Sequence, residues 1–440
     1  MDHYQARVRA KLREEGLTAQ QRGVLLGMDN SVEALRVWHR RYLEALAAKG
    51  GAYLANREPF GPARHFDEAL QSLWFTFAFA RLCGNWPGIG RLDAMLGPYL
   101  ERDLAAGLLT LDQARELLAH FFIKGCEWVC GESWVSGDAQ HYQNIVLAGA
   151  DAQGKDTANA VTGLVLDVVE ELGISDFPIA VRLHAGTPAG LIRRMAEVIR
   201  HGGGIVAAYN DALVVESMVD FGYPREEALG FANDGCWEIQ IPGKTDFAYM
   251  PFDALQVFNR VLGVDSDGPV PAYPSAEALY QAFLEELKQT VEQLYQSHVR
   301  DVFCCTNGRW RRREAASPSS VVSLFEDGCI ENAAPYFALG PVYTVRSPHI
   351  GGAPDVANSL YALQKAVFEE KRLSLRDMVT LLRGNWEGAE AQRLYMKTHY
   401  VYYGNDSDEA DAWHTRLLDD FAAIVGRCGG GEGCPVKFIP

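Results

Sequence analysis

Cys236 and Glu238 stand two residues apart in the stretch Asn233-Asp234-Gly235-Cys236-Trp237-Glu238. In an extended segment, residues at i and i+2 share one face, so thiol and carboxylate can converge on one pocket. Sulfur is polarizable, and its S–H bond is weak enough to exchange a hydrogen atom with carbon. A carboxylate within hydrogen-bond reach can then take a proton. Each residue also has a plainer use: a small thiol fills a core, and a carboxylate braces its own loop through backbone N–H groups. The pair alone does not decide between these uses.

The elements that must carry the pair can be read from periodicity. Residues 1–140 read as helical. Ser31 to Lys49 is amphipathic and is stopped by Gly50-Gly51. Phe66 to Cys83 is more apolar. Thr110-Leu111-Asp112-Gln113 is a capping box that opens a helix to about Lys124. From residue 143 short apolar runs alternate with helical stretches. The runs are Asn144–Gly149, Ile179–His184 and Ile205–Tyr209, an alternation that argues for parallel βαβ units. A helix is expected over 276–299, a loop over 306–320, and helices over Asp355–Lys371 and Ser374–Asn385. Residues 426–440 are glycine-rich without periodicity. The expected organisation is one structural domain: a helical region over 1–140, an α/β core over 141–425 with the cysteine loop near 233–240, and the tail.

Composition narrows the function classes. Hydrophobic residues make up 48% of the 440 and charged residues 22%, which is ordinary for a globular chain. A net charge of −16 argues against a nucleic-acid surface. Arg311-Arg312-Arg313 is the one dense basic run and reads as a solvated loop. Residues 1–15 lack the apolar region of a signal peptide, and no apolar run approaches the roughly 20 residues of a membrane span. Nine cysteines, an odd number, point to reduced thiols in the cytoplasm. Cys126 and Cys130, or Cys428 and Cys434, have no second ligand pair at zinc spacing, so no metal site is expected.

Seven segments give the pair its context: Gly88-Ile89-Gly90-Arg91-Leu92-Asp93; Gln143-Asn144-Ile145-Val146-Leu147; Val181-Arg182-Leu183-His184 ahead of Thr187-Pro188; Tyr209-Asn210-Asp211; Gly235-Cys236-Trp237-Glu238; Asp355-Val356-Ala357-Asn358-Ser359-Leu360; and Tyr403-Gly404-Asn405-Asp406. In this order they resemble the glycyl radical enzymes, the superfamily of pyruvate formate-lyase and the diol, choline and hydroxyproline lyases. The resemblance runs from about residue 30 to residue 425. It implies an α/β fold, a ten-stranded β/α barrel of two half-barrels wrapped by helices, with the Cys236 loop at its centre. It implies that Cys236 is the transient thiyl. Gly-Cys-x-Glu implies a member that eliminates water, amine or another leaving group from a small polar substrate, with Glu238 as base. Decarboxylases carry the motif too. Pyruvate formate-lyase has two adjacent cysteines at that place, and Trp237 is not one.

The Arg-Val-x-Gly-Tyr/Phe segment that houses the glycyl radical in the family is not found in these 440 residues. The leading expectation is therefore the thiyl-bearing subunit of a two-component enzyme. A small glycine-bearing partner would supply the radical, a radical-SAM activase with an iron–sulfur cluster would generate it, and no cofactor would be bound by this chain. Homo-oligomers are compatible with this. The alternatives are a radical C–C lyase or decarboxylase, a radical-free binding or regulatory barrel, and a piece of a longer enzyme. Other residues expected to face substrate are His141, Gln143 and Asn144 at the first strand, His184 ending the second, and Asp253 and His349 further on. For the first four, strand-end hydrogen bonding or a satisfied core histidine is as good a reading. Asn210 and Asp211 are expected to cap the next helix.

Overall fold

The computed structural model describes residues 1–49, 61–83, 87–127, 143–174, 177–202, 206–235, 237–428 and 433–440. Two expected site residues, His141 and Cys236, and the Gly50-Gly51 stop lie outside these. The chain divides into two compact units. Unit 1 is Met1–Thr245 with Ser317–Val342; unit 2 is Asp246–Ala316 with Tyr343–Pro440. The expected helical region and part of the expected core thus both fall in unit 1.

Unit 1 begins with helices Asp2–Leu12, Ala19–Ala48, Phe66–Leu82, Leu92–Ala105 and Leu111–Cys126. The second starts well ahead of Ser31, because Thr18 caps it: the Thr18 hydroxyl accepts the Gln21 N–H, and the Gln21 side chain accepts the Thr18 N–H. The same reciprocal pair forms between Thr110 and Gln113. Three parallel strands follow, β1 (Ile145–Ala148), β2 (Ile179–Leu183) and β3 (Val206–Asn210), in that order and joined through helices Ala160–Leu172 and Ala189–Ile199. Val146 pairs with Ala180, which pairs with Ala207; Ala148 pairs with Arg182, which pairs with Tyr209.

Alternation along the strands gives this sheet two working faces. Ile145, Leu147, Ile179 and Val181 pack against Val161, Val165, Val168 and Val198 of the crossover helices in one buried cluster. Val146, Ala180 and Tyr209 point the other way and meet Ala232. Ala232 opens a short antiparallel hairpin, β4 (Ala232–Asp234) and β5 (Glu238–Gln240). Parallel sheets are buried on both faces. Here helices cover one and the hairpin that carries residues 235–237 lies on the other.

Unit 2 holds a second three-stranded sheet in the order β10-β9-β6, where β6 is Thr245–Asp253, β9 is Tyr343–Gly351 and β10 is Val436–Phe438. Its helices include Ala254–Leu262, Ala276–Tyr295, Ala353–Leu363 and Asp408–Cys428. Two sequence expectations are corrected here. The 306–320 loop begins as a hairpin, β7 (Phe303–Thr306) with β8 (Arg309–Arg312). Asn307 and Gly308 turn it, at φ 52° and 73°, the left-handed pair that a two-residue hairpin turn requires. The tail is not featureless either: β10 pairs in parallel with β9, with Val436 and Phe438 buried either side of Lys437. Three residues are too few for periodicity to declare a strand.

Candidate functional site

Glu238, the carboxylate of the Cys-x-Glu segment, opens the second strand of the β4–β5 hairpin. Asp234 is paired with Glu238, so residues 235–237 make the connection. Gly235 has φ 57°, a left-handed conformation that an L side chain pays about 1–2 kcal/mol to adopt. A Cβ there would also lie 2.5 Å from Glu238 Oε2. Glycine is therefore needed both for the turn and for the carboxylate that folds back over it. Glu238 is 9% exposed, and its Oε2 accepts the Trp237 N–H at 2.9 Å.

Two side chains from the sheet hold this turn by its carbonyls. Tyr209 on β3 donates its hydroxyl to Trp237 O at 2.7 Å, and its ring meets those of Phe231 and Trp237 edge-on. Burial, and then the nearby Glu238, push the Tyr209 phenol well above its ordinary pKa, so it stays a donor at neutral pH. Asn144, just before β1, donates Nδ2 to Gly235 O at 3.0 Å. Its own carbonyl receives the N–H groups of Ile89 and Gly90, each at 2.9 Å.

The entry to the hairpin is fixed by a buried ion pair. Arg182 on β2 donates Nε to Asp211 Oδ1 at 2.5 Å, and neither side chain is more than 3% exposed. Arg182 Nη1 reaches Leu229 O at 2.9 Å and Phe231 O at 3.3 Å, and the guanidinium lies 4.0 Å from the centre of the Phe231 ring. Asp211 Oδ2 accepts the Ala150 N–H at 3.0 Å. Gly149 leaves room for this: a Cβ on it would meet Arg182 Nε at 2.6 Å. Asp93 braces the end of β1 alongside, accepting Ala148 N–H at 2.6 Å and the Thr162 hydroxyl at 2.7 Å. Segments that looked like separate signatures thus form one support at the ends of β1, β2 and β3.

Among the described residues, several buried polar atoms around the hairpin have no hydrogen-bond partner: both side-chain atoms of Asn233, Asn144 Oδ1, Asp234 Oδ1 and Gln143 Oε1. An unpaired buried amide costs roughly 1–3 kcal/mol. Such a set fits a site whose polar partner comes from outside the described chain.

The other expected residues have these positions. Asn144 joins Glu238 at the turn. Gln143 is buried and donates instead to Gly125 O at 3.1 Å. The His184 ring contacts Asp156 Oδ1 through Nε2 at 3.0 Å, and Nδ1 accepts the Gly186 N–H at 3.2 Å, the bonding of a strand-end histidine. Asn210 caps the helix Asp211–Asp220 through Leu213 N–H, whereas Asp211 turns to Arg182. In unit 2, Asp253 caps the helix Ala254–Leu262 by accepting Leu255 N–H at 2.8 Å. His349 on β9 lies beside Phe247 and Tyr249 of β6. Asp246 is taken by a buried pair with Arg346. Sequence reasoning gave no role to Tyr209, Arg182 or Asp234. All three sit inside segments that had been singled out, and only the hairpin register shows what they touch.

No helix among the described residues is long and apolar enough to cross a membrane. The glycerol-bound form of the B12-independent glycerol dehydratase from Clostridium butyricum is similar with a TM-score of 0.80 at 22% identity, covering 99% of this chain and 58% of that one. The hydroxyproline dehydratase of Clostridioides difficile, with trans-4-hydroxy-L-proline bound, gives a TM-score of 0.79 at 23% identity, covering 99% and 59%. The fold is that of these α/β barrels. In sequence, the isethionate sulfite-lyase of Nitratidesulfovibrio vulgaris is 28% identical over 436 residues, covering 90% of this chain and 51% of the relative. The chain spans about half the length of the curated relatives it matches. The family profile described as Pyruvate formate lyase-like matches residues 10–433; with nearly the whole chain inside that match, the protein belongs to the pyruvate formate lyase-like family of the glycyl radical enzymes.

Proposed function

We propose that this chain carries the thiyl and base groups of a radical lyase that eliminates a neighbouring group from a small polar substrate. The observation that supports it most is the buried Glu238 carboxylate, two residues after Cys236 in the chain and held by the Trp237 N–H. A glycyl radical supplies the hydrogen-atom acceptor that starts such chemistry. The unpartnered polar atoms of Asn233 and Asn144 beside the turn fit an incoming polar group there. Everything else falls to this chain's own residues. Tyr209 and Asn144 hold the carbonyls of Trp237 and Gly235, the residues either side of Cys236 in the chain; positioning of reacting groups is worth several kcal/mol of barrier. Glu238 takes the proton of a hydroxyl as the adjacent group departs, a general-base role worth typically ~10²–10⁴ in rate.

The substrate class rests on relatives that act by dehydration or loss of sulfite, as their names state: isethionate sulfite-lyase, trans-4-hydroxy-L-proline dehydratase and (2S)-3-sulfopropanediol dehydratase. In our reading the radical comes from a separate glycine-bearing protein, charged by a radical-SAM activase, and the assembly works in the cytoplasm. Decarboxylation or C–C cleavage is the second reading, kept because Gly-Cys-x-Glu is shared with decarboxylases.

The test is anaerobic reconstitution. The chain, a small protein with an Arg-Val-x-Gly-Tyr segment and an activase are mixed with 1,2-diols, hydroxyproline and isethionate. Elimination product and a glycyl electron-spin signal are expected only in the full mixture. Turnover by the chain alone would remove the two-component reading. A Cys236→Ala variant with full activity would remove the thiyl assignment.

A further inference from the structure

The basic segment Arg309-Trp310-Arg311-Arg312-Arg313 has no role in the lyase reading, and it lies wholly within unit 2. The register of the β7–β8 hairpin sorts its side chains. Phe303, Cys305, Trp310 and Arg312 share one face; Cys304, Thr306, Arg309 and Arg311 share the other. Phe303 is buried, and the charge of Arg312 reaches the buried Asp246, so the first face is the inner one. The outer face presents Arg309 and Arg311, both exposed. The exposed Arg313 continues the row, because its N–H reaches Val302 O at 2.8 Å and prolongs the ladder by one step. Its guanidinium is set in place by two bonds of 3.2 Å to Arg300 O. Arg300 is exposed too, at 5.1 Å from the Tyr295 ring. Alternate residues of a strand lie about 6.5–7 Å apart, so three arginines stand in a row at that spacing.

The chain carries 57 acidic residues against 41 basic ones, so a surface arginine has carboxylates to recruit. Arg7, Arg9, Arg64, Arg194 and Arg416 each have one. Among the described residues Arg309 and Arg311 have none, nor any hydrogen bond. The hairpin is a sheet of two strands, so β8 has no strand on its other edge. Charged side chains on such an edge keep other strands off, and a second copy of this edge would set arginine against arginine. The same row admits one kind of strand. Cross-strand neighbours have Cβ atoms about 4.5–5.5 Å apart, where opposite charges attract, and carboxylates at alternate positions of an added strand would meet all three arginines at once. We propose that the β8 edge is a docking surface for an extended acidic segment of another protein, whose Asp or Glu residues alternate along the strand. Main-chain hydrogen bonds add the segment to the sheet, and Arg309, Arg311 and Arg313 select it. A phosphate polymer would run beyond the patch onto a body of net charge −16, whereas a short acidic segment meets the patch alone.

This docking edge is independent of the lyase reading, and its test needs neither radical nor substrate. A fluorescein-labelled peptide, Thr-Thr-Glu-Val-Glu-Val-Glu-Thr-Thr, is titrated with the intact chain and followed by anisotropy. It is compared with a peptide of the same composition whose Glu residues are adjacent, and with one carrying Lys for Glu. The alternating peptide should bind roughly 10-fold more tightly than the block peptide, and the Lys peptide should not bind. Replacing Arg309, Arg311 and Arg313 together by Gln should weaken binding about 3- to 150-fold, the range for three exposed cross-strand charge pairs. Salt at about 0.5 M should erase most of the preference. Urea unfolding of the triple variant should match the wild type; if that variant does not fold, Arg309→Gln with Arg311→Gln carries the test, since neither side chain bonds within the described chain. Equal affinity for the alternating and block peptides would overturn strand addition. Unchanged affinity in the arginine variants, or no binding of the alternating peptide, would overturn the docking surface. So would tighter binding of single-stranded DNA or of anionic vesicles than of that peptide.

Discussion

Replacing Asp211 by alanine tests the support beneath the hairpin. The substitution removes the partner of a guanidinium that is fully buried. Arg182 keeps Leu229 O, Phe231 O and the face of the Phe231 ring, but its Nε loses an acceptor at 2.5 Å, and the Ala150 N–H loses its own. A lost charge-assisted hydrogen bond costs about 1.5–3 kcal/mol, and breaking a buried pair by one partner about 3–5 kcal/mol. We expect ~3–5 kcal/mol for Asp211→Ala at pH 7, or roughly 100-fold to several-thousand-fold in the folding equilibrium at 1.4 kcal/mol per decade. Removing both partners leaves no unpaired charge, so Arg182→Met with Asp211→Ala should cost less than the two single changes summed. Urea unfolding followed by circular dichroism measures all three, read on the transition that responds, since a chain with two units need not unfold in one step. A cost under about 1 kcal/mol for Asp211→Ala, or strict additivity in the double variant, would refute the account of Arg182 as a buried bracket.

Three further outcomes follow from the turn. Gly235→Ala should cost only about 1–2 kcal/mol in stability, because Glu238 is flexible enough to move aside, yet it should lower turnover of the reconstituted enzyme far more; equal effects on both would count against a placed carboxylate. Tyr209→Phe keeps the ring packing and loses one hydrogen bond, so urea unfolding should show a loss of about 0.5–1.5 kcal/mol. Glu238→Gln should lower kcat by ~10²–10⁴ while the glycyl spin signal of the activated mixture is unchanged; unaltered kcat would leave Glu238 a brace for its loop.

Where local chemistry decides, the sequence was informative. The three parallel strands of unit 1 were visible because each is a short apolar run between helical periods. Thr110 with Gln113, and Asn210, announced their helix starts through side chains that satisfy N–H groups three residues away. What escaped was set by distant partners. Asp211 reads as a cap until Arg182, 29 residues earlier in the chain, takes its carboxylate. Asp234 carries no sequence signal of its own, and only the hairpin register sets it opposite Glu238. Arg311-Arg312-Arg313 reads as a solvated run because Arg311 and Arg313 do face water; only the Asn307-Gly308 turn betrays the strand that ends at Arg312. The short β10 needs its neighbour β9 to exist at all.

The anchors of the reactive turn described here, Asn144, Tyr209, Arg182 and the Gly88 segment, all belong to unit 1. Asp253 and His349, expected to face substrate, belong to unit 2. Such an arrangement is modular. Substitutions in unit 2 leave in place every anchor of the turn named here, so the stability of the hairpin and the stability of the second sheet can change independently.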